Sequence, residues 1–277
     1  MGAMSEDATW VPEGVDVEEP SAARMYDYFL GGGHNFAADR LLADKVMEVV
    51  PAREFARLNR SFLRRTVRYL VNEAGIRQFL DLGSGVPTVG NVHEIAQRED
   101  PDCTVVYVDN DPVAVAHGEL MLKENKTAAT ILADLRQPAA VLDHDETLRL
   151  IDRREPTAVL MCAVLHFVGD QDDPAAIIAS YRDALCPDSS LVISHATADD
   201  YPEDLAQAVE LYSSTKNPAT LRTREQITQL FAGFDVVPPG VVLVPQWHPD
   251  RGEMIDARRS LCYGGVGFKR PSSEHTV

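Results

Sequence analysis

Residues 81–94 read DLGSGVPTVGNVHE. An apolar run, IRQFLDL (76–82), leads into them, and Val92, Ile95 and Ala96 follow at helical spacing. A strand apolar throughout, passing a glycine turn into a helix, is the opening unit of a parallel sheet covered on both faces. The texture then repeats. TVVYVDN (104–110) precedes PVAVAHGELML (112–122), and AATILADL (128–135) precedes a segment carrying Val141, Leu142, Leu148 and Ile151. PTAVLMCAVLHFV (156–168) precedes DPAAIIASYRDAL (173–185), where Asp173 caps and Pro174 takes the first helical position. SSLVISHA (189–196) is the fifth run.

After it the alternation breaks. DDYPEDLAQAVELYSST (199–215) reads as an extra helix, and Thr223 to Gln226 form a capping box for another over 224–234. DVVPPGVVLVP (235–245) and RRSLCYGGVGFKR (258–270) are β-type runs that would add an antiparallel hairpin. Upstream, Ser21 is positioned to cap a short helix with Met25, Tyr26, Phe29 and Leu30, ended by Gly31 to Gly33. A longer helix starts after Pro51. Its Arg53, Arg57, Arg60, Arg64 and Arg68 share one face, either as a solvated stripe or with one or two reaching a ligand's carboxylate or phosphate.

The expected fold class is α/β: a Rossmann-like, seven-stranded, mostly parallel sheet with an antiparallel C-terminal hairpin, helices on both faces and an N-terminal helical cap. Residues 1–20 and 271–277 are expected as flexible tails and 21–72 as the cap. Residues 73–270 form the main domain, with 197–221 inserted as a helical lid. Residues 1–4, MGAM, have the look of an added start.

The net charge of -17 argues against an extended nucleic-acid partner. No apolar run reaches the roughly 18 residues of a membrane span. Cys103, Cys162, Cys186 and Cys262 have no metal-ligand or disulfide spacing, and the histidines have none either, so no metal is expected and a reducing cytoplasm is.

Two glycine patterns end such first strands, and this chain spoils the third glycine of each. A dinucleotide turn wants glycine at Thr88, where a pyrophosphate meets the helix N-terminus. A methyl-donor turn wants it at Pro87, where no pyrophosphate has to approach. The substitutions therefore hurt the dinucleotide reading more. Asp109 ends the second strand, 26 residues after Gly83, where an acid can accept both ribose hydroxyls, with Asn110 beside it. A solvated turn is its plainer reading; a cation loop lacks the further ligands it needs. Asp134 ends the third run, where an acid can accept an adenine amino group while the Leu135 amide reaches a ring nitrogen. A helix cap is its plainer reading.

Taken in order, Asp81-Leu-Gly83-Ser-Gly85, Asp109 and Asp134-Leu135 resemble the motifs of class I S-adenosylmethionine-dependent methyltransferases. The segments at 23–40, 53–70, 83–97, 105–118 and 246–250 (QWHPD) resemble one actinobacterial family of that class, whose substrate is unassigned. The resemblance implies S-adenosyl-L-methionine as cofactor and a small-molecule acceptor methylated on O or N, with no nucleic-acid or membrane partner. It implies cofactor contacts from Asp81, Gly83, Gly85, Asp109, Asn110, Asp134 and Leu135; Arg64 and Tyr26 are further candidates, for the cofactor's methionine carboxylate or the substrate side. Substrate contacts are expected from Tyr28, Asn35 and Tyr212. His166, at the end of the fourth strand, is the candidate catalytic residue, either as general base or as packing over the cofactor. The rival readings are a non-catalytic protein that binds the same nucleoside and an NAD-dependent dehydrogenase.

Overall fold

The computed structural model describes residues 11–12, 15–88, 90–197, 199, 202–213, 215–250 and 256–270. Residues 1–4 and the expected tail at 271–277 lie outside them. In chain order the elements are α1 (Ala22–Phe29), α2 (Ala37–Val49), α3 (Ala52–Asn72), β1 (Gln78–Leu82), α4 (Val92–Glu99), β2 (Thr104–Asp109), α5 (Pro112–Leu122) and β3 (Ala128–Leu132). There follow α6 (Pro138–Leu142), α7 (Asp145–Leu150), β4 (Thr157–Cys162), α8 (Pro174–Ala184), β5 (Ser190–Ala196), α9 (Pro202–Ser213), α10 (Arg224–Gln229), β6 (Phe234–Val236), β7 (Val242–Leu243) and β8 (Cys262–Lys269).

The strands form one sheet in the order β3-β2-β1-β4-β5-β8-β6. β1 to β5 run parallel, and β8 is antiparallel to β5 and β6. The seven-strand plan is present, and the two-residue β7 beside β8 makes eight. The extra strand arises because Pro238, Pro239 and Gly240 interrupt the run at 235–245. Prolines have no N–H for the ladder, so one expected strand becomes two short ones on the same edge of β8.

Alternate residues of each strand serve opposite faces. Leu80, Leu82, Val106, Val108, Val159 and Met161 pack with Ile177, Ile178 and Tyr181 of α8 and Ile227 of α10. Phe79, Val105, Tyr107, Leu160 and Val192 pack with Phe62, Val67 and Leu70 of α3 and Val92 and Ala96 of α4. A third cluster joins Met25 and Phe29 of α1, Ala43 and Val46 of α2, Ala52 and Ala56 of α3, and Leu205 and Ala208 of α9. The expected cap and lid thus share one apolar layer, and α3 runs from that layer down onto the sheet. Among the described residues no helix is long and apolar enough to cross a membrane.

Candidate active site

β1 leads to β2 and β3 on one side, whereas β4 and β5 lie on the other. That reversal of strand order opens a crevice at the strands' carboxyl ends. A cavity of about 560 Å³ occupies it, within the roughly 300–1,000 Å³ usual for small-molecule sites. Gly83 follows β1 at φ +71°, and a Cβ there would stand 2.2 Å from Val164 Cγ2, beyond β4. Glycine is required both for the left-handed backbone and for that approach.

The family-like stretch after the turn is a scaffold for it. Asn91 Oδ1 accepts from the Thr88 amide (3.1 Å), and Glu94 Oε2 accepts from the Gly90 and Asn91 amides (2.7 and 2.9 Å). The amides at the start of α4 are thus satisfied by the protein's own side chains rather than by a pyrophosphate. The Tyr107 hydroxyl accepts from the His93 amide at 2.7 Å and meets His93 Nδ1 at 2.8 Å.

Asp81, Gly83, Gly85, Asp109, Asn110, Asp134, Leu135, Tyr26, His166 and Tyr212 all line the cavity. Asp109 is buried. Its two carboxylate oxygens accept from the Gly85 amide (2.7 Å) and the Asp111 amide (2.9 Å), which leaves further lone pairs for hydroxyl donors. Burial raises its pKa to about 6 against those amide bonds. Burial likewise lifts Asp81 to about 7, opposed by Arg60 and reinforced by Asp109. At Asp134 burial acts upward, but bonds from Arg136 outweigh it and the pKa falls. Arg136 grips that carboxylate through Nε (3.0 Å) and Nη2 (2.6 Å), so an adenine amino group would share an acceptor already engaged. The Tyr26 hydroxyl accepts from Asn59 Nδ2 at 2.9 Å and donates to the Ala56 carbonyl at 3.2 Å. Burial pushes its pKa to about 12.

Three expected contacts are not among the lining residues. Arg64 turns outward and pairs with Asp250 of QWHPD; one turn along α3, Arg68 pairs with Glu99 at 3.0 Å. Tyr28 donates to Asp44 at 3.1 Å on the exposed side of α1. Asn35 is buried but bonded to Asp27 Oδ2 (2.8 Å) and the Gly32 carbonyl (3.0 Å), fastening the glycine loop. The arginine stripe does supply one cavity residue, Arg60, a turn before Arg64; it also donates to the Gly90 carbonyl at 2.6 Å. Spacing alone could not distinguish Arg60 from Arg64.

The described part of the expected N-terminal tail is also part of the site. Val15, Asp16, Glu19 and Pro20 line the cavity, and Glu19 pairs with Lys216 beyond α9. Ser21 does not cap α1. Its hydroxyl donates to Asp111, which Arg24 also reaches at 3.3 Å. Sequence reading did not single out Arg24, Asn59 or Asp111 as site residues, and named Arg60 only as one of the stripe; all four line the cavity. Only the chain's closure around the cavity brings them together, although all four lie inside three of the family-like segments.

The sheet order, the antiparallel end and the acid-lined crevice define the methyltransferase class of Rossmann-like proteins. The chain belongs to the S-adenosyl methyltransferase family, whose model matches residues 8–270. A methyltransferase candidate from Thermobifida fusca YX is 38% identical, with a TM-score of 0.89 over 95% of this chain and all of that one. A DUF574 family protein from Streptomyces avermitilis is 37% identical, with a TM-score of 0.88 over 92% of this chain and 99% of that one. Both relatives are actinobacterial, as expected. The Synechocystis magnesium protoporphyrin IX methyltransferase, 14% identical with a TM-score of 0.53 over 88% of this chain and 93% of that one, shares the fold. Among curated proteins none matches the chain. The protein is an enzyme of this family using S-adenosyl-L-methionine, and the dehydrogenase and non-catalytic readings give way to it.

Proposed function

We propose that the enzyme methylates a small molecule held beside the cofactor in the cavity beneath α1, α2 and α9. The observation that carries this is the cavity's division. Asp81, Asp109, Asn110 and Asp134 come from the β1, β2 and β3 side. Phe29, Val46, Val50, Phe55, Leu205 and Leu261 give the lining an apolar part, beside polar residues that include Arg24, Asn59, Arg60 and His166. The first set suits a nucleoside, with Asp109 accepting from the ribose, Asp134 and the Leu135 amide facing the adenine, and Asn110 beside them. Gly83 and Gly85 let the backbone pass beneath. Arg60 and Tyr26, at the start of the crevice near Asp81, suit the methionine end, the place first expected for Arg64.

S-adenosylmethionine supplies a methyl already activated on a sulfonium. The residues therefore need to hold an acceptor atom in line with it and keep water out, and such positioning is worth roughly 7–11 kcal/mol. The apolar layer and Tyr212 serve both ends, and a concave site of this size favours a small acceptor over a macromolecular surface. His166, just beyond the end of β4, is the side chain we assign to the acceptor. Four free cysteines suit a reducing, cytoplasmic setting.

Asp109→Asn should weaken S-adenosylhomocysteine by roughly tenfold or more, since a hydrogen bond to a charged group contributes about 1.5–3 kcal/mol. Calorimetric titration measures it, and unchanged affinity would remove Asp109 from the cofactor site. Radiolabelled donor incubated with enzyme and cell extract should place label in the small-molecule fraction; label confined to the acid precipitate would reject the small acceptor.

A further inference from the structure

His166 is buried and lines the cavity, yet its Nδ1 is shielded from solvent and has no hydrogen-bond partner among the described residues. A buried N–H without an acceptor is rarer and more costly than a bare lone pair. The hydrogen of the neutral ring therefore belongs on Nε2, the nitrogen left to meet a ligand. Accepting a proton would force a second, orphaned N–H onto Nδ1.

The surroundings oppose that proton as well. Arg222 is 5% exposed and stands behind the loop that carries His166. It donates to the Leu165 carbonyl (3.0 Å), the Val168 carbonyl (2.9 Å), Asp170 Oδ1 (2.6 Å) and His195 Nε2 (2.9 Å). The last bond fixes His195 as a neutral ring whose Nδ1–H donates to the Ala196 carbonyl at 2.7 Å. Asp170, the one counter-ion of Arg222 among the described residues, is 77% exposed, so water screens it more than it screens the guanidinium. Among the described residues, the other recorded contacts of His166 are uncharged: Phe167 at 4.3 Å, His195 at 5.5 Å and Phe55 at 6.3 Å between ring centroids, and the Thr220 amide on the His166 carbonyl at 2.7 Å. Burial first, then His195 and Arg222, hold the imidazole well below the usual histidine range.

We propose that His166 acts as a neutral Nε2–H hydrogen-bond donor, and that its partner is an acceptor molecule that arrives as an oxyanion on an apolar body: an ionised phenol, enol or carboxylic acid. Arg222 is the positioning residue, holding the 165–170 loop and lending positive potential where the anion sits. The inference rests on the methyltransferase reading of the cavity. The balance needs no base. An oxygen lone pair forms the O–CH₃ bond, the S–CH₃ bond breaks with its electrons kept by sulfur, and both charges disappear without a proton moving.

Two measurements on the S-adenosylhomocysteine complex test this. Long-range ¹H–¹⁵N spectra of the histidine rings, assigned with His166→Phe, should show His166 in the Nε2–H form, with a protonation midpoint well under the usual histidine value. An Nδ1–H form, or a normal midpoint, overturns the proposal. 4-Nitrophenol, coloured only as its anion, should gain colour on binding at a pH where half is ionised in solution. His166→Phe should weaken that binding at least tenfold. Arg222→Lys should keep the binding in part, and Arg222→Gln should lose the colour gain. Bleaching, or no binding at millimolar probe, also overturns it. Failure of S-adenosylhomocysteine to bind at all would instead strike the function proposed above. The ring spectra of wild-type protein carry the test if Arg222→Gln does not fold.

Discussion

At the scale of single residues, Asp81 shows how one side chain serves sheet, site and solvent together. It sits on the β1 face turned toward α3, near Arg60 and Asp109, and little water reaches it. An unfolded Asp81 ionises near 3.8, the folded one near 7. Between those values the unfolded chain has released a proton that the folded chain still holds, so rising pH favours unfolding. The contribution is complete below about pH 4 and gone above about pH 7. Asp81→Asn removes it, so the variant should gain stability relative to the wild type, both free of ligand, as pH rises through that window. Melting curves at several pH values measure the gap, and a constant gap would refute the assignment. Residues such as Asp81, Gly83, Gly85 and Asp109 were legible because strand ends in a parallel sheet point at one crevice. Arg60 was not, because which turn of a helix faces a cavity depends on how the helix is docked.

Elements raise a different question, namely what moors the helical layer over the crevice. α1 is tied by Arg24, which reaches Asp39 of α2 at 2.8 Å and Asp111 ahead of α5 at 3.3 Å; all three side chains are buried. Removing one member of such a group leaves charge without a partner, which typically destabilises by about 3–5 kcal/mol. Arg24→Ala should therefore shift the denaturant midpoint strongly downward, whereas Arg68→Ala, whose pair with Glu99 is half-exposed, should change stability by less than about 1 kcal/mol. Equal effects from both would contradict the mooring. The helices themselves were readable from spacing and caps, with Thr223 accepting from the Gln226 amide at 3.2 Å as its sequence pattern requires. Ser21 was misread as a cap because its hydroxyl has a long-range partner, Asp111, that no local pattern reveals.

On the scale of the whole molecule, the charge of -17 sets a field that every ligand crosses. S-adenosylmethionine carries one net positive charge and S-adenosylhomocysteine none. Association of the former should slow as salt is raised, through screening over about 8–10 Å, and association of the latter should change little. Stopped-flow binding at two ionic strengths checks this, and equal salt dependence would exclude steering. The acidic composition, the four strand-helix repeats and fifth strand with their antiparallel ending, and the acids at the ends of β1, β2 and β3 are properties of the sequence by itself. They are local: apolar runs, turn residues and caps act within a few positions, and parallel topology then brings the strand ends to one edge. Tertiary structure alone decided that Arg60 rather than Arg64 lines the cavity, that Val15, Asp16, Glu19 and Pro20 belong to it, and that Arg222 stands behind the loop of His166. Those placements depend on contacts between residues far apart in the chain, which form only when the helical layer closes over the sheet.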